Sequence, residues 1–238
     1  MEKGIIELED KTNIFYEQMG QGENLFLLHG NGGDSSFFEY NVGELSKHFH
    51  LYLIDFRDHG RSDNAKDKLS FELMARDLRE IFAKLNIKKA SILGFSDGAN
   101  LALVFSLNYP QLVDKLILNA PNTRFDGTTL ISKIISISEN IFWNILPFFK
   151  RNKRVAALLL KDLKVTKNDL HTIDKKLLII VGSRDLIRVD HVKNIAKNID
   201  HSKLIVVKKS GHKLCRENPA LFNKLIIDFM EEDKKWNC

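Results

Sequence analysis

Cysteine is nearly absent from this chain: only Cys215 and Cys238 occur in 238 residues. Two thiols cannot build a disulfide framework, which argues against a small stapled secreted domain and for a reduced, cytoplasmic setting. Proline is equally scarce, at four residues, and no Pro- or Gly/Ser-rich stretch divides the chain. No run is both long and uncharged enough to span a bilayer, so stable membrane insertion is not expected. The opening Met1–Glu7 carries charge and lacks the apolar core of a secretory signal. Internal repeats and low-complexity tracts are lacking too. With 44% hydrophobic residues, the chain can bury one sizeable core.

Charge is unevenly spread. The net charge is +5, yet Pro147 to Lys176 alone holds nine basic residues against Asp162, Asp169 and Asp174. Such a face can attract an anionic partner. No nucleic-acid motif accompanies it, so a solvated surface is the expectation and nucleic acid is not an expected partner.

Apolar runs and helical spacings alternate along most of the chain. Strands are expected near Ile5–Glu9, Asn13–Gln18, Asn24–Leu28, His50–Ile54, Ala90–Leu93, Lys115–Asn119, Lys176–Val181 and Lys203–Val207. Helical spacing marks Ser35–His48, Ser70–Leu85 with Ser70 as N-cap, Asp97–Tyr109, Asp190–Asn198 and Pro219–Met230. Strands alternating with helices imply an α/β fold: a mostly parallel sheet with helices on both faces. The alternation fails between Asn122 and Asp174, which reads as helical throughout. The expected organisation is a core of residues 1–121 and 175–238 with a helical lid at 122–174. Thr128–Phe149 carries an apolar stripe that includes Ile131, Ile134, Phe142 and Ile145. The spacing predicts that this stripe faces core and substrate, with core packing as its main role.

The chemistry centres on Gly94-Phe95-Ser96-Asp97-Gly98, set between an apolar run and a helical pattern. A strand, a sharp turn and a helix form the context in which this pattern holds a nucleophilic serine outward. A serine hydroxyl needs a base, and the base an orienting carboxylate, on later loops of the same sheet edge. Asp185 follows the strand ending at Gly182, and His212 follows Gly211 beyond the last strand. The order Ser96, Asp185, His212 is nucleophile, acid, base. Asp190 competes with Asp185 but lies where a helix N-cap belongs. Oxyanion donors are expected from the backbone N–H groups of Asp97 and of Asn31, in the turn His29-Gly30-Asn31-Gly32-Gly33. His29 reads as a brace for that turn. The Asp97 side chain could face a substrate cation; capping the following helix is the favoured role. Phe95, Phe142 and Ile145 are candidate substrate contacts.

These pieces, with Asp55-Phe56-Arg57-Asp58-His59-Gly60-Arg61-Ser62, resemble the α/β-hydrolase superfamily in its small lidded, esterase-like branch. The resemblance spans nearly all of the chain outside the lid. It implies an eight-stranded sheet with the second strand antiparallel and a lid after the sixth. It also implies Ser96, Asp185 and His212 as the triad, with Asn31 and Asp97 as the oxyanion pair. Asp58 departs from the glycine more usual at its position. Ser96, rather than aspartate or cysteine, argues against dehalogenase and dienelactone hydrolase readings. The expected activity is cofactor-independent and metal-free cleavage of a carboxylic ester or related small acyl substrate through an acyl-enzyme. Carbon–carbon bond hydrolase, lactonase, thioesterase, aminopeptidase and acyltransferase are the alternatives within the fold. A non-catalytic small-molecule receptor of the same fold is the alternative outside the enzymes. The motifs leave substrate and oligomeric state open.

Overall fold

The structure, a computed structural model, describes residues 1–232; Cys238 lies outside them. Its eight strands are β1 (Glu2–Glu7), β2 (Asn13–Met19), β3 (Glu23–Leu28), β4 (Phe49–Ile54), β5 (Ala90–Phe95), β6 (Val113–Asn119), β7 (Leu177–Gly182) and β8 (Ser202–Val207). They form one sheet in the order β1-β2-β4-β3-β5-β6-β7-β8. Only β2 runs against its neighbours; every pair from β4 through β8 is parallel. The fold class and the antiparallel second strand agree with the expectation from the sequence.

Alternate residues of each buried strand serve opposite faces, as the two-residue strand period requires. Phe26, Leu28, Ile92, Leu116 and Ile179 pack with α2 (Phe71–Lys84), α3 (Asp97–Asn108) and α7 (Val189–Lys197). Leu25, Leu27, Leu93, Ile117 and Leu178 pack under α1 (Glu39–Leu45) and α9 (Pro219–Met230). Ser70 caps α2 by accepting from Leu73 N–H at 3.2 Å. The helix expected over Ser35–His48 is split: a 3-10 turn at Ser35–Phe38 precedes α1. Arg188, not Asp190, is the N-cap residue of α7; Asp190 lies in the first turn and pairs with the Arg188 guanidinium.

Between β6 and β7 the chain forms α4 (Leu130–Ile145), α5 (Lys150–Leu158) and α6 (Lys167–His171). This insert is helical in part rather than throughout, and Leu146–Phe149, with Pro147, interrupts it. Its second half is rooted in the core: Val155, Leu158, Leu163, Leu170 and Ile173 are buried there. Its first half is not. The buried residues of α4 are Ser132 and Ser136. Of the thirteen exposed large apolar side chains among the described residues, ten lie between Leu130 and Phe149. The apolar stripe therefore faces solvent, contrary to the expected packing. Periodicity marks which residues share a face, but not which face meets the protein.

Candidate active site

Sheet geometry assembles the site at the carboxyl ends of β3, β5, β7 and β8, where an open parallel sheet offers its loops. β5 turns into α3 at Ser96, whose backbone sits at φ 53° and ψ −117°. That left-handed φ is strained for a residue with a side chain and thrusts the hydroxyl outward. The turn closes only because its flanks are glycines. A Cβ on Gly94 would come within 2.2 Å of Gly98 O, and one on Gly98 within 2.1 Å of Leu28 O.

His212 lies in the loop after β8. Its Nδ1 is 2.7 Å from Asp185 Oδ1, and its Nε2 is 3.2 Å from Ser96 Oγ. A carboxylate only accepts, so Nδ1 carries the proton and Nε2 is left to accept from the serine hydroxyl. Asp185 follows β7, and its side chain is fully buried. Its Oδ1 also accepts from Ile187 N–H at 2.9 Å, which fixes the carboxylate plane. The imidazole packs against Phe95, with ring centres 4.8 Å apart. One support was not visible in the sequence: Glu217, from a short helix α8 (Leu214–Glu217), accepts from Gly211 N–H at 2.8 Å and steadies the loop before His212. Nothing in the local pattern around Glu217 marks it out.

The His29–Gly33 turn lies against the serine; a Cβ on Gly30 would stand 3.2 Å from Ser96 Cβ. His29 braces it from within. Its Nδ1 donates to Gly30 O at 2.7 Å, and its Nε2 accepts from Phe56 N–H at 3.2 Å. Complete burial pushes its pKa down to about 3, so the ring stays neutral.

Asn31 and Asp97 are tied to each other. Asn31 Nδ2 donates to Asp97 Oδ2 and to Val155 O, each at 2.9 Å. Asn100 Nδ2 donates to Asp97 Oδ1 at 3.2 Å. The Asp97 carboxylate thus meets two side-chain amides rather than capping α3, which corrects the favoured expectation. Burial pushes its pKa up, while the amides of Asn31 and Asn100 pull it back. Val155 belongs to α5, so Asn31 links the turn beside Ser96 to the insert. That link joins residues 124 positions apart, and no short motif could reveal it.

Ser96 and His212 open onto a cavity of about 480 Å³. Asn31, Phe37 and Phe95 form part of its wall; Ser132, Ile135, Ser136 and Glu139 of α4 and Leu158 of α5 form the opposite side. Phe95 lines the cavity and stacks on Phe37, ring centres 4.4 Å apart. Phe142 and Ile145, expected to do the same, do not: they are 56% and 73% exposed and stand off the cavity. They lie on the solvent face of α4, while the polar face lines the cleft. Among the described residues, no group of three or more His, Cys, Asp or Glu could hold a metal ion.

The basic insert also differs from a purely solvated face. Arg154 makes a forked pair with Asp58, both contacts at 2.7 Å, and Arg151 donates to the carbonyls of Asp58 and Gly60 at 2.7 and 2.9 Å. Two of its cations therefore clasp α5 to the Asp55–Ser62 loop.

Ser96 at a positive φ, the His212 imidazole and the buried Asp185 carboxylate thus stand in one hydrogen-bonded series. A sequence model of the alpha/beta hydrolase fold matches residues 23–158, and the chain belongs to that family. It is an enzyme of the hydrolase class. It is 26% identical over 262 residues to the AB hydrolase superfamily protein YisY of Bacillus subtilis, covering 94% of this chain and 97% of that one. It is 28% identical over 261 residues to a 2-hydroxy-6-oxononadienedioate/2-hydroxy-6-oxononatrienedioate hydrolase of Pseudomonas putida, covering 92% of each. The solved structure of an esterase from Exiguobacterium antarcticum superposes with a TM-score of 0.84 at 21% identity, covering 95% of this chain and 98% of that one. At that identity the match speaks for the fold.

Proposed function

We propose that the chain is a serine hydrolase that cleaves a small carboxylic ester or related acyl compound through an acyl-enzyme on Ser96. One observation carries this reading: the Ser96–His212–Asp185 hydrogen-bond series at the edge of the cavity beneath α4 and α5. His212 Nε2 takes the Ser96 proton as Oγ attacks the substrate carbonyl. The oxyanion so formed is met by the backbone N–H groups of Asn31 and Asp97. Collapse of the tetrahedral intermediate expels the alcohol, which leaves with the proton from His212. Water, deprotonated by the same imidazole, then attacks the acyl-enzyme and frees the acid, and the proton returns to Ser96. Asp185 holds the tautomer and offsets the imidazolium charge in both halves. No cofactor enters this scheme, and the partner is a small molecule. The insert acts as the lid over the cavity. No described helix is long and apolar enough to cross a membrane, and a cytoplasmic setting is part of the proposal; it rests on the scarcity of cysteine, with Cys215 buried as a free thiol.

The name of the Pseudomonas putida relative favours a second reading, hydrolysis of a carbon–carbon bond next to a ketone. Initial rates on p-nitrophenyl acetate, butyrate and octanoate, beside a vinylogous 2-hydroxy-6-keto acid, separate the two. Ester hydrolysis that falls by about 10⁴ or more in Ser96→Ala supports the proposal. Fast cleavage of the keto acid with ester rates equal in wild type and Ser96→Ala would replace it with the second.

A further inference from the structure

The outer face of α4 is the largest feature that the proposed chemistry leaves unused. Successive residues of a helix turn by about 100°. On that spacing Ile134, Ile137, Ile141 and Ile145 share a broad outward arc, while Ser132, Ser136 and Glu139 point to the cleft. All four isoleucines are at least 43% exposed, and Phe148, just beyond the helix, is 91% exposed. Monomeric proteins rarely leave so much contiguous apolar surface in water without a partner for it.

Charge identifies the partner. From Asn140 to Lys161 the chain has no acidic residue and five basic ones. Arg151 and Arg154 are committed to the Asp58 loop, and Lys161 donates to Leu69 O. Lys150 and Lys153 form no ion pair among the described residues. They follow the aromatic end of the apolar face, where Trp143 packs on Phe142 and Phe149 at ring-centre distances of 5.0 and 5.4 Å. A helix with a wide apolar face, aromatic rings at its edge and unpaired lysines beside them matches an anionic lipid surface. A second copy of the chain matches poorly. A two-fold contact sets each patch against itself, and Lys150 and Lys153 would be brought towards their own copies.

We propose that the outer face of α4, with Lys150 and Lys153, is a peripheral docking surface for an anionic lipid bilayer. The contact is superficial, since α4 lies along the surface and does not span it. Ile135 both lines the cavity mouth and is half exposed, so docking would turn that mouth towards the lipid. The proposal makes no use of Ser96 and stands or falls apart from the hydrolytic reading.

Vesicle co-sedimentation of the full chain tests it, with phosphatidylcholine alone and phosphatidylcholine mixed with phosphatidylglycerol. Binding is expected to the mixed vesicles only, and added salt should weaken it. Ile134→Ser/Ile141→Ser leaves the net charge unchanged and touches only exposed positions; it should abolish binding while thermal stability stays at the wild-type value. Lys150→Glu/Lys153→Glu should weaken binding by about tenfold or more. Ser96→Ala should bind as wild type does. Absence of binding to mixed vesicles at low salt would overturn the proposal. So would binding that survives the isoleucine substitutions, which would be the general attraction of a basic protein. A concentration-dependent dimer in sedimentation velocity, lost in the isoleucine variant and unaccompanied by vesicle binding, would assign the face to a second copy.

Discussion

Asp58 shows how one side chain can join two parts of the molecule. Its backbone lies at φ 62°, a region that costs most residues energy and that Asp and Asn tolerate best. In return its buried carboxylate accepts from Arg154 and from Asn64 Nδ2, the latter at 2.6 Å. The fork to Arg154 holds that guanidinium's pKa above its ordinary value, mainly through the hydrogen bonds to Asp58. Asp58→Asn keeps a residue suited to the left-handed backbone but removes the charge facing Arg154. The expected loss is about 1–3 kcal/mol, read as a lower urea midpoint, because a charge-assisted fork is broken and the partly buried cation keeps only the exposed Asp67, at 2.8 Å, as its ionic partner. Limited proteolysis should also cut the insert sooner. An unchanged urea midpoint together with an unchanged proteolysis pattern would show that the clasp contributes nothing. At this scale the sequence exposed Ser96, Asp185 and His212, because each sits in a short pattern at a strand end. Asn31's bond to Val155 and Glu217's bond to Gly211 went unseen because nothing local encodes them.

At the scale of elements, the β5–Ser96–α3 unit is the most constrained piece of the fold. Gly98→Ala would drive a methyl group to within 2.1 Å of Leu28 O, a clash against backbone that cannot move without shifting β3. Overpacking of this kind should cost at least about 2 kcal/mol, seen as a fall in thermal midpoint. A midpoint within error of wild type would mean that the two backbones have room to separate. This element was legible because steric demands confine it to a few residue types. The insert was legible only as helix. The isoleucine spacing of α4 fixed a stripe, yet a stripe has no sign until a partner is known. Val155 and Leu158 of α5, not the stronger stripe on α4, turned out to face the core. Phe142 and Ile145 were misplaced for the same reason.

For the whole molecule, three histidines set the acid limit. Burial lowers the pKa of His29 to about 3 and also lowers those of His59 and His191. A group whose folded pKa lies below its ordinary value of 6.5 binds protons more readily in the unfolded chain. Between the two values, stability therefore rises with pH and is lost as pH falls from about 6.5. Asp77 and Asp97 act in the opposite sense, since burial raises them, but from a starting value of 3.8. Thermal midpoints should accordingly drop between pH 7 and pH 5. A midpoint that is level or higher at pH 5 would mean these rings take up protons without cost. The same sheet that buries His29 also brings four strand ends together, so the buried core and the Ser96 site are products of one packing arrangement.

Covalent labelling with a fluorophosphonate, followed by intact mass and peptide mapping, tests Ser96 as the nucleophile most directly. One adduct per chain is expected, on Ser96, with ester hydrolysis lost in step with labelling and no adduct in Ser96→Ala. Full ester turnover after exhaustive treatment, or an adduct on another residue that accounts for the lost activity, would contradict the assignment of Ser96 as nucleophile.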